Sequence, residues 1–149
     1  MNTKTTVKVA IALLSSVVLF APTAALAGRF TDQVRSQLIQ AAAALGLTGY
    51  QLSHNPYINR LGDNSSSPIV LNLRGGTSYA MVGVCDEDCS DIDLEIYDSN
   101  GNLVDSDTTG NDTPVVTVTP RWTDRFYIKV NMASCSTSPC YYGVGVFGR

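Results

Sequence analysis

From Ile69 to the end of the chain, apolar residues recur at every second position, and turn residues cut the pattern into short runs. Ile69, Leu71 and Leu73 alternate with Val70, Asn72 and Arg74 before Gly75-Gly76. "TSYAMVGV", "DIDLEIYD", "NLVDSD", "PVVTVTP", "RFYIKVNM" and "CYYGVGVFG" continue the alternation. A period of two sends successive side chains to opposite faces, so each run buries a single apolar face as a strand. About seven short strands joined by turn signals, with no second helix among them, predict a mainly β fold, an antiparallel two-sheet β-sandwich.

Upstream the period changes. In "TDQVRSQLIQAAAALG", Val34, Leu38, Ala41, Ala42 and Leu45 share one helical face, Thr31 is placed to cap the N-terminus and Gly46 to end the helix. Residues 28–48 are therefore expected to form one N-terminal amphipathic helix, either packed on the sheet or docking a partner. The turn-rich stretch 49–67 is expected as a connecting loop or a short edge pairing, and 68–149 as the sandwich.

Lys4 and Lys8 are the only charges in the first 28 residues, and they precede an apolar run from Val9 to Ala21 that leads to Ala25-Leu26-Ala27. This pattern predicts a secretory signal peptide over residues 1–27, cleaved near Ala27, and a periplasmic or secreted product. Cleavage leaves roughly 120 residues, enough for one domain that buries about two-thirds of the surface its unfolded chain exposes. Removing two of the ten basic residues leaves eight against thirteen acidic ones, a balance unsuited to nucleic acid.

Four cysteines occur as Cys85-x3-Cys89 and Cys135-x4-Cys140. An even number in an exported chain reads as disulfides. Four cysteines allow three connectivities; the two local pairs, Cys85 with Cys89 and Cys135 with Cys140, are favoured, each closing a small loop at a strand end.

Ten carboxylates and no Lys or Arg lie between Cys85 and Asp112. In "EIYDSNGNLVD" the turn is either Asn100-Gly101 or Ser99-Asn100-Gly101. The second option sets Ile96 opposite Val104 and is selected by burial; it sets Glu95 opposite Asp105 and Asp93 opposite Asp107. Directly opposed residues have Cβ atoms about 5 Å apart, where like charges destabilise. Two remedies are open. Ca²⁺ takes six to eight oxygens and would draw on Asp91, Asp93, Glu95, Asp105 and Asp107. Alternatively the face is screened by salt or neutralised by Arg121, Arg125 and Lys129.

Catalytic signals are weak. His54, the single histidine, sits in the turn-like "SHNPY". A secreted hydrolase remains the rival reading, and it requires His54 to meet a Ser or Asp in a cleft. In "RFYIKVNM", Phe126, Ile128, Val130 and Met132 point to the core and leave Tyr127, Lys129 and Asn131 outside. Tyr127 and Lys129, with Trp122 and one of Tyr141 or Tyr142, are a possible ligand surface; the alternative is that these aromatics pack at the sandwich end and under loops.

In order, "LRGGTSYAMVGV", "DIDLEIYDSNGNLVDSD", "PVVTVTP" and "DRFYIKV" resemble the pre-peptidase C-terminal (PPC) domain, a jelly-roll-like β-sandwich of secreted bacterial peptidases related to collagenase collagen-binding domains. The most specific residues are Asp91-x-Asp93-Leu94, Asp98-x-x-Gly101 and Phe126-Tyr127; Asp124 stands where the family usually has glycine. The resemblance implies a non-catalytic module, calcium-binding in some members. The expected function is an exported, non-enzymatic binding or accessory module, with calcium as its candidate cofactor, for an extracellular or periplasmic protein or glycan. The alternatives are the hydrolase and a structural subunit of an envelope assembly whose helix face is exposed.

Overall fold

A computed structural model describes residues 23–149, with side chains from Val34 onward. The basic and apolar parts of the expected signal peptide fall on residues 1–22 and lie outside the described residues. Helix α1 (Thr23–Ala44) is followed by β1 (Gln51–Leu52), β2 (Tyr57–Leu61), β3 (Ser65–Leu73), β4 (Tyr79–Cys85), β5 (Cys89–Tyr97), β6 (Leu103–Asp107), β7 (Val115–Val118), β8 (Asp124–Cys135) and β9 (Cys140–Gly148). Thr31 thus lies inside α1 and does not cap it, because the alanine-rich stretch before it favours helix as well. At the other end the expected stop forms. Leu47 N–H donates to Ala42 O and Gly46 N–H to Ala43 O, with Gly46 at φ +73°, a left-handed position that glycine adopts without a steric penalty.

The strands form two antiparallel sheets. One runs β1-β9-β4-β7, with β2 also on β9; the other runs β3-β8-β5-β6. The stretch 49–67, expected as a loop or a short edge pairing, takes the second form and contributes β1, β2 and the start of β3. Its turn-rich composition yields to pairing along β9, where Tyr57 opposes Val144 and Leu61 opposes Cys140.

Alternation builds the inner core. Ile69, Leu71 and Leu73, with Ile92, Leu94, Ile96, Phe126, Ile128, Val130 and Met132, meet Tyr79, Met81, Val116, Tyr142, Val144 and Val146 of the other sheet. Strand β4 is buried at every position from Tyr79 to Val84, which requires cover on both faces. Helix α1 supplies it. Val34, Leu38 and Ala42 pack on Val82, Val84 and Phe147, on the side away from the inner core. Two glycines of β9 admit the helix: a Cβ on Gly143 would overlap Val34 Cγ1, and one on Gly145 would lie 3.3 Å from Leu38 Cδ1. The Gly-x-Gly of "YYGVGVF" is thus a helix seat. Leu45, expected on the buried face, is exposed beyond the end of the helix.

Both disulfides pair locally, Cys85 with Cys89 and Cys135 with Cys140, each with Cα atoms 5.9 Å apart. Each joins the end of a strand in one sheet to the start of a strand in the other, β4 to β5 and β8 to β9. Cys89 and Cys135 are cross-strand partners, so both staples sit at one end of the sandwich. Ser136 donates from N and Oγ to Asp88 O and ties the two loops together.

Candidate functional site

The acidic hairpin shows what offsets its charge. At its tip the expected three-residue loop forms: Tyr97 opposes Leu103, Asp98 N–H donates to Asn102 O (2.9 Å) and Gly101 adopts φ +83°. Asp98 accepts the N–H groups of Asn100 and Asn102 and the Asn102 side-chain amide, and these bonds, the Asn102 side chain first, hold its carboxyl below the usual carboxylate range.

One step further the register shifts, with Val104 as the extra residue. Ile96 then opposes Asp105, Leu94 opposes Asp107 and Glu95 opposes Ser106, so the expected pairs Glu95–Asp105 and Asp93–Asp107 do not form. The bulge carries Asp105 and Asp107 to the rim facing the other sheet. There Asp105 Oδ2 accepts the Thr117 N–H (2.7 Å) and hydroxyl (3.2 Å), and Asp107 Oδ2 accepts the Val115 N–H (2.9 Å). Strand β7 is the edge of its sheet, so these carboxylates satisfy amides that no neighbouring strand pairs. Burial pushes the Asp107 carboxyl up, but bonds from the Thr109 hydroxyl, the Val115 N–H and the Thr109 N–H together hold it below the ordinary range.

The proposed calcium ligands accordingly divide. Asp93 and Glu95 are on the outer face, where Asn131 donates to Asp93 (2.8 Å) and Lys129 Nζ lies 2.7 Å from Glu95 Oε2. Glu95, by hydrogen bond and charge, raises the Lys129 pKa. Asp105 and Asp107 are at the rim, and Asp91 stands apart with a buried Oδ1 that has no hydrogen-bond partner. Among the described residues no group of three or more Asp, Glu, His or Cys side chains is arranged to hold a metal ion. Of the expected neutralising cations, Lys129 makes the ion pair.

The outer face of β3-β8-β5-β6 carries the sequence-predicted ligand residues Tyr127 and Lys129. In register across the sheet, Val70 opposes Tyr127, Tyr127 opposes Tyr97 and Tyr97 opposes Leu103. Val70 is 52% exposed and Leu103 53%, and the two tyrosines between them are half-buried. The next row is Pro68, Lys129, Glu95 and Ser106. Trp122, 68% exposed, stands in the loop before β8, its backbone against Gly75. Tyr142 is in the inner core and Tyr141 on the other sheet, so neither joins this row. Tyr97, Val70 and Leu103 were not legible as partners of Tyr127, because only the pairing of four strands brings them together.

A cleft of about 630 Å³ opens at the end of the sandwich near β1. Its walls include Ser53, His54, Asn72, Arg74, Thr77, Tyr79, Thr123 and Arg149. His54 Nδ1 is 2.9 Å from Ser53 Oγ, the approach that the hydrolase reading requires. Ser53 Oγ also lies 2.9 Å from Val146 O, which accepts its proton in this arrangement, and the tautomer of His54 sets which group donates in the Ser53–His54 contact. The envelope-subunit reading requires an exposed helix face, whereas Val34, Leu38 and Ala42 are buried.

No protein-family model matches this chain, and no curated protein matches its sequence.

Proposed function

We propose that this chain is an exported, non-enzymatic binding module that contacts an extracellular or periplasmic protein or glycan through the outer face of β3-β8-β5-β6. The observation that carries this reading is the unequal treatment of the two outer faces. Helix α1 covers one. The other is left open with a continuous row of Val70, Tyr127, Tyr97 and Leu103 beside the Lys129–Glu95 pair. Tyrosines with an apolar ring and a polar tip suit recognition on such a surface, because little side-chain entropy is lost on binding. Two disulfides suit an oxidising compartment, and among the described residues no helix is long and apolar enough to cross a membrane. A PPC-like accessory role agrees with this reading.

The test is a combined peptide and glycan array probed with the wild-type chain and with a Tyr97→Ala/Tyr127→Ala variant. Loss of wild-type hits by about tenfold or more, with an unchanged melting temperature, is the expected result. Hits that survive in the variant would place the binding surface elsewhere.

The Ser53–His54 contact in its cleft supports a second reading, hydrolysis. Covalent labelling of Ser53 by a fluorophosphonate probe, abolished in His54→Ala, would establish it. Absence of labelling at Ser53 would remove it.

A further inference from the structure

The cleft beside β1 is lined by basic and neutral side chains. The chain carries thirteen acidic residues against ten basic ones, yet no Asp or Glu lines this cleft. Arg74 and Arg149 both line it, and among the described residues neither forms an ion pair. Arg149 lies over the Tyr50 ring at 4.9 Å, a contact that orients its guanidinium. The Arg149 main-chain oxygen accepts the Ser78 N–H (3.1 Å).

The remaining walls are polar. Tyr79 is buried except at this end, and its hydroxyl accepts the Arg74 N–H (3.1 Å), which leaves the phenolic proton to donate elsewhere. Thr123 Oγ1 accepts the Gly75 N–H (3.1 Å) in the same way, so its hydroxyl proton is also available. Asn72 and Thr77 add an amide and a hydroxyl. Two unpaired guanidinium groups with hydroxyl donors around them match an oxyanion, since arginine presents paired N–H groups to carboxylate and sulfate oxygens. Asn72 and Thr123 also line the neighbouring groove that contains Arg125 and Tyr127, so the cleft is continuous with the tyrosine face. The tyrosine on this approach and the hydroxyl donors of the cleft fit a sugar ring better than a peptide side chain.

We infer that this cleft, walled by Arg74, Arg149, Tyr79 and Thr123, binds the carboxylate or sulfate group of an acidic saccharide. The saccharide part rests on the proposed binding role of the neighbouring face; the oxyanion part stands on the cleft alone.

Amide chemical-shift titration of the full chain tests the inference. The probes are D-glucuronate, D-glucose 6-sulfate, neutral D-glucose and a glutamate dipeptide. Glucuronate and the sulfate ester are expected to shift Thr77, Thr123 and Gly148, and Arg74→Gln should weaken both by about tenfold, the loss expected for one charge-assisted pair. Arg74 is exposed and its side chain makes no ion pair among the described residues, so this variant should fold normally. The two probes separate a carboxylate from a sulfate preference. Tyr97→Ala should leave these shifts in place even where it abolishes binding at the tyrosine face, which keeps failure of the two proposals distinct. Equal binding of neutral glucose, tighter binding of the dipeptide, insensitivity to Arg74→Gln, or no shift at millimolar probe would each overturn the inference.

Discussion

Replacing Asp105 and Asp107 together by alanine sets two opposed effects against each other. On charge alone the change should stabilise the hairpin, because it removes two of ten clustered carboxylates, each step of relief being worth about 0.5 kcal/mol at an exposed pair. Against this stand the lost bonds to β7. Asp105 accepts from the Thr117 N–H and hydroxyl, and Asp107 from the Val115 N–H and from Thr109. A hydrogen bond to a charged acceptor contributes about 1.5–3 kcal/mol, and partial exposure of the rim reduces this to roughly 1–2 kcal/mol per residue. The bonds win. A net loss of about 1–3 kcal/mol corresponds to a drop in melting temperature on the order of 10 °C for a domain of this size. Ser106→Ala, on the same strand with an exposed side chain, is the control and should be neutral within about 0.5 kcal/mol.

The pH dependence has a definite sign. The folded carboxyl of Asp107 lies below its ordinary value of 3.8, so its contribution is present above that pH and is lost as pH falls through the folded value. Thermal melts of Asp107→Ala and wild type should therefore converge in acid and separate towards neutrality. A double variant that melts at or above the wild-type temperature at neutral pH and low salt would refute the reasoning, since repulsion would then outweigh the bonds to β7.

Gly143→Ala should destabilise by about 1–3 kcal/mol through overlap with Val34, and adding Val34→Ala should recover part of the loss; denaturant melts of the two variants measure this. Leu38→Ala, at a fully buried position under the same sheet, should cost about 3 kcal/mol in such melts. Burial raises the Tyr142 phenol above its ordinary 10.0, so the fold loses stability as pH climbs beyond that value; circular dichroism should show a weaker alkaline transition in Tyr142→Phe. Because the five expected calcium ligands are divided between the outer face, the rim and Asp91, calcium added after EDTA treatment should leave the melting temperature unchanged. A rise lost in Asp105→Asn would reverse that conclusion.

Much of the architecture was legible in local patterns. Period-two runs identified strands because burial of one face and exposure of the other is a property of each strand alone, as in Ile69, Leu71 and Leu73 against exposed Val70. The helix followed from the 3.6-residue spacing of Val34, Leu38 and Ala42, and cysteine spacing favoured two local staples because each pair closes a small loop at a strand end. For residues 49–67 the sequence left loop and edge pairing open, because the pairing partner, β9, lies far along the chain. The hairpin register turned on Val104, a bulge that no short-range signal encodes, and this one step moved Asp105 and Asp107 from facing Glu95 and Asp93 to bonding with β7. The sequence by itself determined the strands from Ile69 onward and the apolar face of the helix, and favoured the two local staples, since those choices depend on near neighbours. Tertiary structure alone decided which carboxylate meets which amide, and that Tyr97 joins Tyr127 on the open face while Arg74 meets Arg149 in one cleft. Such meetings depend on the stacking of distant strands, about which a local pattern carries no information.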